Sequence, residues 1–264
     1  MTEPIVLVGN TGRFGTRLGP VNPETPSSPE EVRSAFEKHR QGAIWVAKKP
    51  PLLKWLTSVE PGYGARQRLL LLVEAAKGER EFLDALFQRV VAPDDGVQLV
   101  KADDLAEILA GPDRRNFFIG GAVTPAFKSL VLYRGNLEPI VVPWSWFSSR
   151  PNRPKPDFAE FEVTDAGQTV RLGAYEAATE AILYDFDVDF RRDHRKQRAQ
   201  KDLSFGGSLC RLRLQRGLSR NEFPGLSAKE IARLERSEVK KPHPETLAIL
   251  AERLGVKPDD IATY

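Results

Sequence analysis

The 264-residue chain has one cysteine, one methionine and three histidines. A lone Cys210 excludes an internal disulfide and fits a reducing cytoplasm. His39, His194 and His243 are scattered, with no zinc-ligand spacing, so neither a metal nor a cofactor is expected. No apolar run approaches the roughly 18–20 residues that cross a bilayer; Leu69–Val73 stops after five. No basic stretch precedes the apolar Ile5–Val8, so a secretory signal is not expected and a cytoplasmic, membrane-free protein is. No Ser-His-Asp, paired-acid or metal constellation marks an enzyme. Gly9-Asn-Thr-Gly12-Arg-Phe-Gly15 has the look of a phosphate loop, but Pro20, Pro23, Pro26 and Pro29 follow it. They leave no room for a long helix with its amides facing a phosphate, and no Gly-Lys-Ser/Thr ending is present, so the loop reads as a structural turn.

What the chain does have is an uneven distribution of charge beneath a net +3. Residues 1–120 carry 16 basic and 16 acidic side chains, residues 121–190 carry 6 and 10, and residues 191–264 carry 17 and 10. Lys and Arg that displace counterions from phosphates give nucleic-acid affinity, so the C-terminal end is where a nucleic-acid surface is expected.

Periodicity and turn residues give an α+β multidomain chain. Residues 1–115 read as a mostly helical region of unknown role, after an opening strand at Ile5–Val8 and with a second short strand near Gly42–Ala47. Its helices are expected from Pro29 (capped by Ser28), over Pro51–Val59, Ala65–Ala76 and Glu79–Val91, and over Lys101–Ala110. Residues 116–190 read as a small α+β domain. Its short β-type runs are joined by the hairpin turns Arg134-Gly-Asn-Leu and Asp165-Ala-Gly-Gln, and a helix follows over Tyr175–Tyr184. At least one of Trp144 and Trp146 is expected in its core. Residues 191–203 read as a basic helical connector, and 204–264 as short helices closing a small core.

In the last segment Leu209 and Leu212 share one helix face, and Gly217 ends that helix. Ser219-Arg-Asn-Glu222 and Ser227-Ala-Lys-Glu230 are two capping boxes eight residues apart, starting helices 2 and 3 after helix 1 (Gly207–Arg216). His243-Pro244 starts a further helix that Gly255 stops, and Pro258 starts the last. Two boxes around Phe223 and Leu226 make helix, turn, helix on local grounds alone.

The segment Leu209-x-x-Leu212-Arg213-x-x-Arg216-Gly217-Leu218-Ser219, with Ser227 to Arg236 after it, resembles the phage-repressor or Cro helix-turn-helix family, also called the xenobiotic-response-element type. The resemblance implies a sequence-specific regulator that acts on double-stranded DNA as a homodimer, of phage-related or toxin–antitoxin type. It puts Ala228, Lys229 and Arg233 at base edges, with Ser227 near the backbone. Ser219 and Arg220 at the start of helix 2 would lie against the DNA, Arg220 on phosphate. Arg236, Lys240 and Lys241 in the loop after helix 3 would also meet phosphate. Arg213 and Glu235 match a structural ion pair between helices 1 and 3. The sequence departs from the family between the two cap serines, where Pro224-Gly225 stands in place of further helix, so helix 2 is expected to be one turn long. Glu222 and Glu230 would repel phosphate there. The alternative is a repressor-like fold that packs on a protein partner instead of DNA, an antitoxin-like interaction module. A protein partner could also engage the N-terminal or middle region. The order of runs in residues 116–190 is similar to the domain-of-unknown-function family numbered 2442, which supplies architecture and no chemistry.

Overall fold

Ile5–Val8 (β1), Ile44–Ala47 (β2), Arg68–Leu71 (β3) and Arg89–Val91 (β4) are short runs, apolar throughout in β1 and β2 and after the opening arginine in β3 and β4, and such runs suit strands buried on both faces. In the computed structural model they form one parallel sheet in the order β1-β2-β3-β4. The structure describes residues 3–9, 13–18, 21–47, 52–56, 66–93, 96–147, 154–239 and 242–263. Between these strands run α1 (Arg13–Arg17), α2 (Pro29–Lys38), α3 (Leu52–Leu56) and α4 (Lys77–Leu86). Val6, Trp45, Leu69 and Val90 alternate onto one face and pack with Phe36 of α2, Leu56 of α3 and Leu83 of α4. Phe36 stacks on Trp45 with ring centroids 4.3 Å apart. The indole N–H of Trp45 donates to Gln67 Oε1 at 2.9 Å, so a buried donor is satisfied inside this core.

The mixed α+β class is observed, and the described part of residues 1–115 holds a four-stranded parallel sheet among its helices. Two expected helices are corrected. Ala65–Ala76 contains β3, and Glu79–Val91 is α4 followed by β4. The cause is the same in both. A run such as Leu69-Leu70-Leu71 has no polar face by which to tell a buried helix from a buried strand. The expected helix over Pro51–Val59 is present at Leu52–Leu56, and its C-terminal end lies outside the described residues. The helix from Pro29 begins as read, with Ser28 Oγ accepting the Glu31 N–H at 3.2 Å. Of the glycine loop, residues 10–12 lie outside the described residues; the five-residue α1 comes directly after them.

β5 (Gln98–Leu99), β6 (Phe118–Thr124), β7 (Ser129–Arg134) and β8 (Pro139–Pro143) form an antiparallel sheet in that order, with α5 (Ala102–Ala110) between β5 and β6. β9 (Phe161–Thr164), β10 (Thr169–Leu172) and β11 (Tyr175–Ala178) form a second antiparallel sheet, and α6 (Thr179–Phe186) follows. The helix expected over Tyr175–Tyr184 is therefore corrected at its start. Residues 175–178 alternate buried and exposed, the period of a half-buried strand, and pair with β10. Trp144 and Trp146 sit in a 3-10 turn and are half-buried; the fully buried aromatic of that turn is Phe147.

Residues 1–188 make one compact unit, so the seam read at 115/116 falls inside it. Arginines cross that line. Arg134 Nε donates to the Arg115 carbonyl, and within the first 115 residues Arg114 donates to the Leu109 carbonyl at 3.2 Å and to the carbonyl of Glu3. Arg68 meets the Glu3 carboxylate at 2.6 Å and also donates to the Asn136 carbonyl, while Arg89 reaches the Leu137 carbonyl at 3.2 Å. The β7–β8 turn is thereby tied to the first residues of β3 and β4.

The second unit is Asp189–Tyr264. It contains α7 (Val188–Lys201), α8 (Phe205–Gln215), a single 3-10 turn (Arg220–Glu222), α9 (Ala228–Glu235), α10 (Pro244–Leu254) and α11 (Pro258–Thr263). Leu209, Leu212, Phe223, Ile231, Leu234, Leu250 and Leu254 close its core.

Candidate nucleic-acid interface

The helices α8 and α9 start or stop on residues whose chemistry demands it. Ser204 caps α8, its Oγ accepting the Gly207 N–H at 3.1 Å. After α8 the chain turns at Gly217 with φ +66°, and the Leu218 N–H closes onto the Arg213 carbonyl at 3.0 Å. Ser227 caps α9. Its Oγ accepts the Glu230 N–H at 3.2 Å, and Glu230 Oε2 accepts the Ser227 N–H at 2.7 Å. Gly206 lets the start of α8 rest on the end of α9, since a side chain there would run into the Leu234 and Glu235 carbonyls.

The expected helix 2 is the single turn Arg220–Glu222, bounded by the Ser219–Glu222 box and by Pro224-Gly225. Phe223, 2% exposed, anchors this turn in the core. The short connection presents α9 as a two-turn helix with one buried stripe (Ile231, Leu234, Glu235) and one exposed stripe. Lys229 and Arg233 lie on the exposed stripe, four residues apart and so one turn apart. Lys229 has no hydrogen-bond or ionic partner among the described residues, and Ala228 is half-buried beside it.

Glu235 carries the geometry of the unit. Its side chain is 2% exposed and is held by two arginines. Arg213 Nε donates to Oε1 at 2.5 Å, and Arg220 Nε donates to Oε2 at 2.7 Å. Arg213 also donates to the Leu218 carbonyl at 2.8 Å. The Glu235 hydrogen bond keeps the Arg213 guanidinium above its ordinary pKa although burial works against it. Arg220, expected on phosphate, is thus bonded to Glu235, and its side chain stays 46% exposed. One carboxylate with two guanidiniums leaves a net positive charge at the mouth of this site.

A second carboxylate lies just beyond the same end of α9. Glu238 Oε1 accepts from Arg236 Nε at 2.6 Å, and Oε2 accepts from Arg233 Nε at 3.3 Å. The Arg236 hydrogen bond pulls the Glu238 carboxyl below its ordinary pKa and pushes Arg236 above its own. Glu238 and Arg253, whose Nε donates to the Glu222 carbonyl at 2.7 Å, were not singled out in the sequence. The signal for Glu238 was available as the spacing Arg233-x-x-Arg236-x-Glu238. The backbone turn that folds it back was not, because the left-handed residue there is Ser237, φ +56°, and not a glycine. Lys240 and Lys241 lie outside the described residues. Ser219 and Ser227 are committed to their capping boxes.

Among the described residues no cluster of His, Cys, Asp and Glu could hold a metal ion, and no helix is long and apolar enough to cross a membrane. No family model, curated protein or solved structure matches the chain, so the reading of this surface rests on its residues and geometry.

Proposed function

We propose that the chain is a DNA-binding regulator whose second unit places α9 in the major groove of duplex DNA. The observation that carries the reading is the pair Lys229 and Arg233, exposed one turn apart on a helix whose opposite stripe is locked by the Arg213–Glu235–Arg220 site. A rigidly held helix with two cations on one face can donate to guanine O6 and N7 while neighbouring cations meet phosphates. The unit's charge supports this: residues 189–264 have 17 basic and 11 acidic side chains, against 22 and 25 in residues 1–188. In this reading Ala228 packs against a base edge, Ser227 stands near the backbone, and Arg236, Lys240 and Lys241 contribute phosphate contacts. The chain works in the cytoplasm as a homodimer on a two-fold site, with half-sites one turn apart. The first unit, net −3 by the same count, supplies a regulatory or partner surface.

A second reading is favoured by one observation. The turn Arg220–Glu222 is shorter than a helix that braces against the DNA backbone, which suits a unit that packs on a protein partner. Enrichment of duplexes from a random pool by the purified full chain separates the two. The first reading predicts a discrete, two-fold sequence. The second predicts no enrichment, and a stable complex with a protein instead.

A further inference from the structure

α9 ends in the same hydrogen-bonded turn as α8 and α10, but with a serine in place of glycine at the left-handed position. After Arg236, Ser237 takes a left-handed backbone, a conformation that costs a non-glycine residue energy. It is held there by its own N–H to the Leu234 carbonyl at 3.0 Å and by a 2.9 Å contact between the hydroxyls of Ser204 and Ser237. The result turns Glu238 back over the helix, with its N–H on the Arg233 carbonyl at 3.1 Å. Its carboxylate then reaches Arg236 at 2.6 Å and Arg233 at 3.3 Å, and all three side chains are about half exposed. One carboxylate with two oxygens bridging two guanidiniums has the donor–acceptor pattern of a phosphate held by two arginines.

We propose that Glu238 occupies a phosphate position of the DNA surface, so that duplex DNA must displace its carboxylate, with a backbone phosphate taking its place on Arg236, before Arg233 is free to reach a base edge. This rests on the DNA-binding reading above. Because the pairs are exposed, solvent already weakens them and exchange is cheap. Because a bound phosphate would stand beside Glu238, the carboxylate also sets a threshold. Weak, scattered contacts with any duplex do not recover the two arginines, whereas a site that also satisfies Lys229 does. Glu238 is in this sense a specificity-determining residue of the surface, although it donates to no base.

The test is a binding series in rising salt, on the full chain, with a short duplex of random sequence as the probe. Glu238→Gln keeps the shape and removes the charge. It should tighten binding by about three- to tenfold, the scale of an exposed ion pair. It should also steepen the salt dependence by about one counterion. Glu245→Gln, which removes an 89%-exposed carboxylate elsewhere in the unit, should have a much smaller effect. The gain should vanish when Arg233 and Arg236 are both alanine. An unchanged melting temperature confirms that the variants are folded. If wild type binds and Glu238→Gln binds identically, the inference fails while the DNA reading stands. If the gain survives without the two arginines, Glu238 acts by plain repulsion and the inference also fails. If neither wild type nor Glu238→Gln binds any duplex, the DNA reading falls and takes the inference with it.

Discussion

The two units use arginine with a different emphasis. In the first, buried or half-buried guanidiniums reach backbone carbonyls, Arg114 on Leu109 and Glu3, Arg89 on Leu137, Arg80 on Val90, Arg68 on Asn136 and Arg134 on Arg115, and three of them, Arg68, Arg80 and Arg134, also pair with carboxylates. In the second they end mainly on carboxylates: Arg213 and Arg220 on Glu235, Arg233 and Arg236 on Glu238. A carbonyl is a fixed part of the chain, so an arginine on it fastens one segment to another. A carboxylate at the surface can be exchanged for another anion. The first pattern builds a scaffold, and the second, where it is exposed, builds a surface that an anionic polymer can take over.

The contrast is sharpest at Glu235. Glu235→Ala strands Arg213, whose side chain is 8% exposed, and breaking a buried pair costs about 3–5 kcal/mol. Hydrogen exchange on the full chain should show α8 and α9 opening together while β1–β4 stay protected. A cost below about 1 kcal/mol would mean that the site is not structural. Arg114→Ala is the counterpart in the first unit. It removes donors from two carbonyls and should cost about 1–3 kcal/mol, read as faster exchange around Leu109 with α8 and α9 unaffected. Equal effects on both units would break the comparison. Arg220→Ala removes the exposed partner of Glu235 and leaves Arg213 in place, so it should cost no more than about 1 kcal/mol. A loss as large as that of Glu235→Ala would make Arg220 a full structural partner.

Acid gives the smallest and most local effect. The Glu222 and Glu230 carboxyls are held below their ordinary value of 4.5, chiefly by the backbone N–H groups of Ser219 and Ser227. Groups with depressed folded pKa values stabilise the fold above the unfolded value and lose that contribution as pH falls through the folded one. Denaturation midpoints of the second unit should therefore fall as pH drops below 4.5, and less steeply in Glu222→Gln and Glu230→Gln. Equally steep loss in both variants would show that the boxes do not carry this dependence.

The two units also differ in how much of them can be read from the sequence. The second is written in local relations. Ser227 and Glu230 are three residues apart, Lys229 and Arg233 four, and Gly217 and Gly255 mark helix ends by themselves. The first depends on pairing between segments far apart, with Ile5 beside Ile44 and Ile44 beside Arg68. Nothing local in Leu69-Leu70-Leu71 chooses strand over helix; the neighbouring strands do. The same limit hid part of the candidate site. The Arg213–Glu235 contact could be expected from the family resemblance, but the second arginine on Glu235, and the fold-back that brings Glu238 to Arg233, depend on where α8, the 3-10 turn and α9 meet.

The most direct test of the account is a salt-dependent binding titration of the full chain against its best duplex and a scrambled duplex, for wild type, Lys229→Ala and Arg233→Ala. The account predicts a preferred duplex for wild type. It also predicts that each substitution weakens that duplex by about 1–3 kcal/mol more than the scrambled one. Binding that is equal for both duplexes in wild type, or a preference that survives both substitutions, would contradict the assignment of α9 as the reading element.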